Sequence, residues 1–410
     1  VTGAVTPSYL GDTYRFTWED GIIMELARFT ESARDGLGCE IVVTSSLPPT
    51  PGLLHQARFN MMSTQARKTL SMALAAREPA IDFAGMLEYA CFHAIRQWRD
   101  GDPIINLWEV QPRTTGRMLI DPFVEYGGPT TLYGDGGTGK SMLAIAMGLS
   151  VAADIPLLGS APSQQGPVLY LDWETDEYTH SERLQALCRG YQGNIFPAPI
   201  HYRRQQSSLV ESQSYVKREI ARLGVIFTIA DSLGAARGGD SDSAELTIRT
   251  FNAARAFGCP TLFVDHLPKN AKDKTKPFGS VFTHNLSRLT WFAEKAERAA
   301  AESIRIGLTN QKANNGALSP RLGYEIMVAV DERKSLRAIS FTTTKPPAPA
   351  AEENARDKIL AVLREEPDRI LRYADLERLT DEKPNTIRQA MKRLGNEVAR
   401  EENGFRLVHP

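Results

Sequence analysis

The stretch Gly134-Asp-Gly-Gly-Thr-Gly-Lys-Ser141 constrains this chain more than any other. It fits the P-loop pattern G-x-x-x-x-G-K-[ST], in which glycines let successive backbone N–H groups turn inward around a phosphate. A short apolar run, Thr130–Tyr133, precedes it and an apolar helical pattern, Met142–Val151, follows. That order predicts a strand, a turn and a helix whose N-terminus favours an anion. Gly134, Asp135, Gly136, Gly137, Thr138, Gly139, Lys140, Ser141 and Met142 form the expected cradle. Lys140 supplies a mobile positive charge for the β- and γ-phosphates, and Ser141 a hydroxyl for Mg²⁺, which keeps most of its waters.

The surrounding pattern is that of an α/β protein. Thr130–Tyr133, Val168–Leu171, Ile226–Ala230 and Thr261–Val264 are short apolar runs separated by helix-patterned segments. Such runs predict a mostly parallel sheet with helices on both faces, and ligands in such sheets sit at the carboxyl ends of the strands. Acidic and basic side chains cluster at those ends. Asp231 closes Ile226-Phe-Thr-Ile-Ala-Asp231 and is placed to hold the metal through water. Val168-Leu-Tyr-Leu-Asp-Trp-Glu174 is expected beside the P-loop strand, where a carboxylate polarises the attacking water. Asp172 and Glu174 share one face of a period-2 strand, so spacing alone leaves both open. His266 ends Thr261-Leu-Phe-Val-Asp-His266 and is a candidate donor to the γ-phosphate.

With 410 residues the chain is long enough for several domains. Residues 1–111 read as an α+β domain of unknown role, with strands at Tyr14–Trp18 and Glu40–Thr44 and helices at Leu54–Ala76 and Phe83–Trp98. Residues 112–345 are the ATPase core and 346–354 a proline-rich, semi-rigid linker. In 355–410, helical patterns at Asp357–Leu363, Tyr373–Leu379 and from Pro384 precede a hairpin turning at Asn403-Gly404. The third helix carries Arg388, Lys392 and Arg393 on its exposed face. That order resembles a winged helix, a unit that contacts DNA or docks on proteins.

The net charge of −1 means that any basic surface must be local. Lys269, Lys272, Lys274 and Lys276 provide one, in a loop after the His266 strand suited to a nucleic-acid backbone. The Gly-rich stretch Gly234–Asp240, with Arg237, is a second candidate loop. Four scattered cysteines exclude a disulfide framework or zinc pattern and suit a reducing cytosol. The absence of an apolar run of about 18 residues and of a signal pattern points to a cytoplasmic, non-membrane protein.

Taken together, Gly134–Ser141, Gly166–Glu174, Asp231-Ser232, Val264-Asp-His-Leu-Pro-Lys269 and Gly279-Ser280 resemble the RepA-like branch of the RecA-type ATPases, which includes plasmid and phage hexameric helicases. The resemblance covers about 125 to 330. It implies a RecA-like fold, ATP and Mg²⁺ as cofactors, Glu174 as the catalytic glutamate and His266 as the γ-phosphate sensor. It also implies a cation near the domain's end that reaches a neighbouring subunit's ATP. Lys312, in Leu308–Gly316, falls at that position and Arg321 is a second candidate. The expected activity is a hexameric motor on single-stranded DNA that unwinds duplex beside other replication proteins. The alternatives are an ATP-switched helicase-loading or regulatory factor and a recombinase-like filament.

Overall fold

A computed structural model describes residues 5–10, 13–32, 34, 36–46, 52–101, 104–191, 198–240, 243–267, 281–295, 303–346, 356, 359–360, 362–363, 370–380, 383–395, 398–401 and 404–407. The chain opens with five antiparallel strands paired in sequence order, β1 (Val5–Leu10), β2 (Thr13–Trp18), β3 (Ile22–Ser32), β4 (Gly36–Ser45) and β5 (Gly52–Asn60). Their alternating burial gives the sheet one apolar face, which α1 (Thr64–Ala75) and α2 (Phe83–Asp100) cover. Here the expectation of one helix over Leu54–Ala76 is corrected. His55–Asn60 pairs with β4, and the helix begins only after Ser63, whose hydroxyl accepts the Ala66 N–H. Apolar spacing in that run suits either structure, and cross-strand pairing decides.

A small hairpin, β6 (Met118–Ile120) and β7 (Val124–Glu125), leads into a second sheet of nine strands. In chain order its elements are β8 (Thr130–Gly134), α3 (Lys140–Ala153), β9 (Val168–Asp172), α4 (Glu177–Gly190), β10 (Ile200–Arg204), α5 (Leu209–Leu223), β11 (Phe227–Asp231), α6 (Leu233–Arg237), α7 (Ala244–Arg255) and β12 (Thr261–His266). Then follow α8 (Val281–Leu286), β13 (Leu289–Lys295), β14 (Ser303–Ala313), β15 (Leu322–Val330) and β16 (Leu336–Thr344). The spatial order is β10-β9-β11-β12-β8-β13-β14-β15-β16. Every pairing from β10 to β13 is parallel, and β13 to β16 pair antiparallel.

Strands β8, β9 and β11 are buried along their whole length, as a sheet covered on both faces requires. Alternate residues feed two cores. Val168 and Tyr170 pack with Leu143 and Met147 of α3, whereas Leu169 and Leu171 pack with Val216 of α5 and Phe251 of α7. Burying each such large apolar side chain is worth about 1.5–3 kcal/mol. The fold is therefore the expected RecA-like α/β sheet. One placement differs from expectation: β9 does not adjoin the P-loop strand, because β11 and β12 lie between them.

Near the C-terminus, α9 (Tyr373–Thr380), α10 (Pro384–Leu394), β17 (Val398–Glu401) and β18 (Gly404–Leu407) surround an apolar cluster that includes Ile359, Leu363, Leu376, Ile387 and Phe405. Leu371 bridges to Phe405 and adds a third extended segment beside the hairpin. No described helix is long and apolar enough to cross a membrane.

Candidate active site

The site lies where β8, β12, β11 and β9 end. Strand register brings Gly134 opposite His266, and Asp231 opposite Asp172. The loop after β8 depends on its glycines. A Cβ at Gly134 would stand 2.1 Å from the Ala293 carbonyl oxygen, so no side chain fits there. Gly137 (φ +73°) and Gly139 (φ +81°) occupy the left-handed region that favours glycine. Asp135, Gly136 and Gly137 form an exposed crest, while Thr138 is buried and donates to the Asp135 carbonyl at 2.9 Å. Gly139 caps α3 without a side-chain hydrogen bond, and Met142 packs its side chain against the core.

The Lys140 ammonium is buried and donates to the carbonyls of Gly134 (2.9 Å) and Asp135 (2.7 Å). Burial lowers its pKa, opposed chiefly by Asp231 and also by Asp265, Glu174 and Asp135. A cation among four carboxylates can exchange loop carbonyls for phosphate oxygens without moving to new surroundings.

Asp231 is buried at the end of β11. Burial pushes its carboxyl up, against the pull of the Ser141 and Tyr170 hydroxyls. Tyr170 donates to Oδ2 at 2.7 Å, while Oδ1 is buried with no hydrogen-bond partner among the described residues. An orphaned carboxylate oxygen beside the Ser141 hydroxyl fits the needs of a hydrated divalent cation.

Glu174 and His266 meet at 3.2 Å, each partly exposed. The hydrogen bond from His266 lowers the Glu174 carboxyl, and the same bond raises the His266 imidazole. A carboxylate kept ionised, exposed and beside the P-loop can orient water. Asp172 is different. It is buried and accepts from the Glu174 N–H (3.0 Å), the Thr175 hydroxyl (2.9 Å) and the Tyr202 hydroxyl (2.9 Å). Strand β9 ends at Asp172, and the chain turns before Glu174, so the two carboxylates do not continue on one strand face.

Behind His266 lies a pair that sequence reasoning missed. Arg237 is buried, 3.5 Å from Asp265, and donates to the Thr283 hydroxyl at 2.8 Å. Burial pushes Asp265 up to about 6, against the pull of Arg237 and of the His266 N–H. The expectation that Arg237 belongs to a strand-contacting loop is thereby corrected: it ends α6 and faces the interior. Its setting among Gly and Asp looks like a solvated loop, and no local signal reveals the distant carboxylate.

Lys312 and Arg321 are both held by groups of their own chain. The Lys312 ammonium donates to the carbonyls of His284 (2.8 Å), Asn285 (2.7 Å) and Ser287 (2.8 Å), which uses its three N–H groups at the end of α8. Arg321 pairs with Glu294 and donates from Nε to the Thr309 hydroxyl at 3.0 Å. Lys269, Lys272, Lys274 and Lys276 lie outside the described residues. Arg388, Lys392 and Arg393 are exposed on α10, opposite its buried Ile387, Ala390, Met391 and Leu394.

Residues 106–272 match the family model of an AAA domain. No curated protein matches the chain. Among solved structures, a KaiC-like protein from the hyperthermophilic archaeon Pyrococcus horikoshii OT3 is similar at 13% identity over 57% of this chain and 99% of that one, with a TM-score of 0.39. A likeness that distant adds nothing to the strand order and the loop geometry. With the family match over the same strands, loop and helix, these identify the central part of the chain as a P-loop ATPase domain.

Proposed function

We propose that the protein is an ATP-hydrolysing motor that assembles into a ring, probes single-stranded DNA through its loops, and opens duplex during replication of a plasmid, phage or related element. The observation that carries the hydrolytic part is the convergence of Lys140, Asp231 and the Glu174–His266 pair on one sheet edge. In this reading the P-loop amides and Lys140 grip the β- and γ-phosphates of ATP. Ser141 and Asp231 hold Mg²⁺, the latter through water. When bound, the ion supplies charge neutralisation across those phosphates. Glu174 holds the attacking water with its ionised carboxylate. His266, one strand from the cradle, exchanges its bond to Glu174 for one to the γ-phosphate.

The ring and the DNA substrate come from the sequence resemblance, and one surface feature supports assembly. Ile104, Leu107 and Trp108, around the start of the ATPase domain, are 104%, 78% and 95% exposed. Adjacent large apolar side chains left in water mark an association surface. Lys269 to Lys276 and the cations of α10 are the proposed DNA contacts.

A second reading has its own support. Lys312 and Arg321 are both engaged within their own chain. If these two side chains stay where they are bound, neither completes a neighbour's site, which suits an ATP-switched loading or regulatory factor that assembles and does not unwind. Turnover measured with and without single-stranded DNA, together with opening of a forked duplex, separates the two. The motor predicts DNA-stimulated turnover and strand opening; slow, DNA-insensitive turnover with an intact fork would exclude it.

A further inference from the structure

Asp172 stands two residues before Glu174, and its side chain is a point of convergence. Its Oδ1 accepts the Glu174 N–H at 3.0 Å. Its Oδ2 accepts the Thr175 N–H at 3.1 Å, the Thr175 hydroxyl at 2.9 Å and the Tyr202 hydroxyl at 2.9 Å. His180 Nε2 lies 3.3 Å from Oδ2 and 2.9 Å from the Thr175 hydroxyl. Asp172 and His180 are 1% and 5% exposed, and Thr175 and Tyr202 are half-buried. Three elements meet there: the turn that carries Glu174, helix α4 through His180 and strand β10 through Tyr202.

We propose that Asp172 is a positioning residue for Glu174: its buried carboxylate gathers the backbone N–H groups of the turn after β9, ties them to α4 and β10, and so fixes where the Glu174 carboxylate stands. The inference rests on the reading of Glu174 as the group that orients water. Only a carboxylate meets the demand, because both oxygens face donors. An asparagine would turn its NH₂ group toward the Glu174 N–H in one rotamer, and toward the Thr175 and Tyr202 donors in the other. The Glu174 side chain itself is held by His266 and Ser232, and in this reading the His266 contact changes when nucleotide arrives. Burial alone would raise the Asp172 carboxyl, but the His180, Glu174, Thr175 and Tyr202 hydrogen bonds hold it well below the usual carboxylate range. The acceptor thus stays charged throughout the working pH range.

The test is a double-mutant cycle on the full chain, read as single-turnover ATP hydrolysis and as nucleotide affinity, with Asp172→Asn, Glu174→Gln and the pair combined. Asp172→Asn is expected to lower the hydrolysis rate about tenfold or more, as misplacement of a reacting group does, with ATP affinity within about twofold of wild type. Added to Glu174→Gln it should cost nothing further, since the group it positions is already lost. A merely structural role would lower the residual rate of Glu174→Gln by the same factor, and that result, or a wild-type rate for Asp172→Asn alone, overturns the proposal. Should Asp172→Asn fail to fold, Tyr202→Phe removes one donor only. Its smaller rate deficit must likewise vanish in the Glu174→Gln background, or the proposal falls. If Glu174→Gln itself turned over normally, the assignment of Glu174 would be the part at fault.

Discussion

Lys140 sits with its ammonium between two loop carbonyls and is drawn by four nearby carboxylates. Replacing it by alanine leaves those carboxylates facing an incoming triphosphate without the cation that offsets them. Lys140→Ala is therefore expected to abolish hydrolysis and to weaken nucleotide binding, checked by turnover and by titration with a fluorescent nucleotide. The Glu174–His266 contact gives a pH signature. Glu174 is lowered, so it is ionised above its shifted value; His266 is raised, so it is protonated below its own. The pair is intact between the two values and is lost as pH falls through the first or rises through the second. An NMR titration of the nucleotide-free protein should place the His266 midpoint above the ordinary histidine value of about 6.5. The midpoint should return toward that value in Glu174→Gln. At this scale the sequence was partly legible. The P-loop lysine and serine follow from a local motif, but Asp172 and Glu174 have equivalent spacing, and only the turn after β9 separates a buried anchor from an exposed carboxylate. The partners of Arg237, Lys312 and Arg321 lie 12 to 46 residues away and leave no local trace.

Elements were read best where one physical demand acted alone. Strands β8, β9, β11 and β12 are short and buried, and each was visible as an apolar run bounded by polar residues. Strand order was not, because pairing between β11 and β12, or between β12 and β8, depends on crossovers that no short segment encodes. Strand β5 reads as helix by spacing because Leu54, Ala57 and Met61 fall at i, i+3 and i+7, while Ala57, Phe59 and Met61 alternate as a strand does, and pairing with β4 settles it. The close approach of β8 and β13 yields a prediction. Gly134→Ala would press a methyl onto the Ala293 carbonyl, so the strands must separate. Overpacking of this kind costs about 1–3 kcal/mol, expected as a lower urea midpoint with an unchanged slope. An unchanged midpoint would mean that the strand contact is looser than described.

For the whole molecule, the ATPase domain sits between an antiparallel sheet with its own core and a small C-terminal unit with another. The exposed cations of α10 bear on what that unit does. If it contacts DNA, replacing Arg388, Lys392 and Arg393 by alanine should weaken binding and reduce the slope of log affinity against log salt by about one per lost phosphate contact. If it docks on protein, the slope should not change. Whatever that unit binds, the motor reading requires that nucleotide is hydrolysed at the edge where β8, β11 and β12 end. The most direct measurement of that claim is single-turnover hydrolysis of ATP by Glu174→Gln, with nucleotide binding measured on the same sample. Binding close to wild type with hydrolysis slowed by about 10²–10⁴-fold, the usual worth of such a group, is the predicted result. Hydrolysis at the wild-type rate would contradict it.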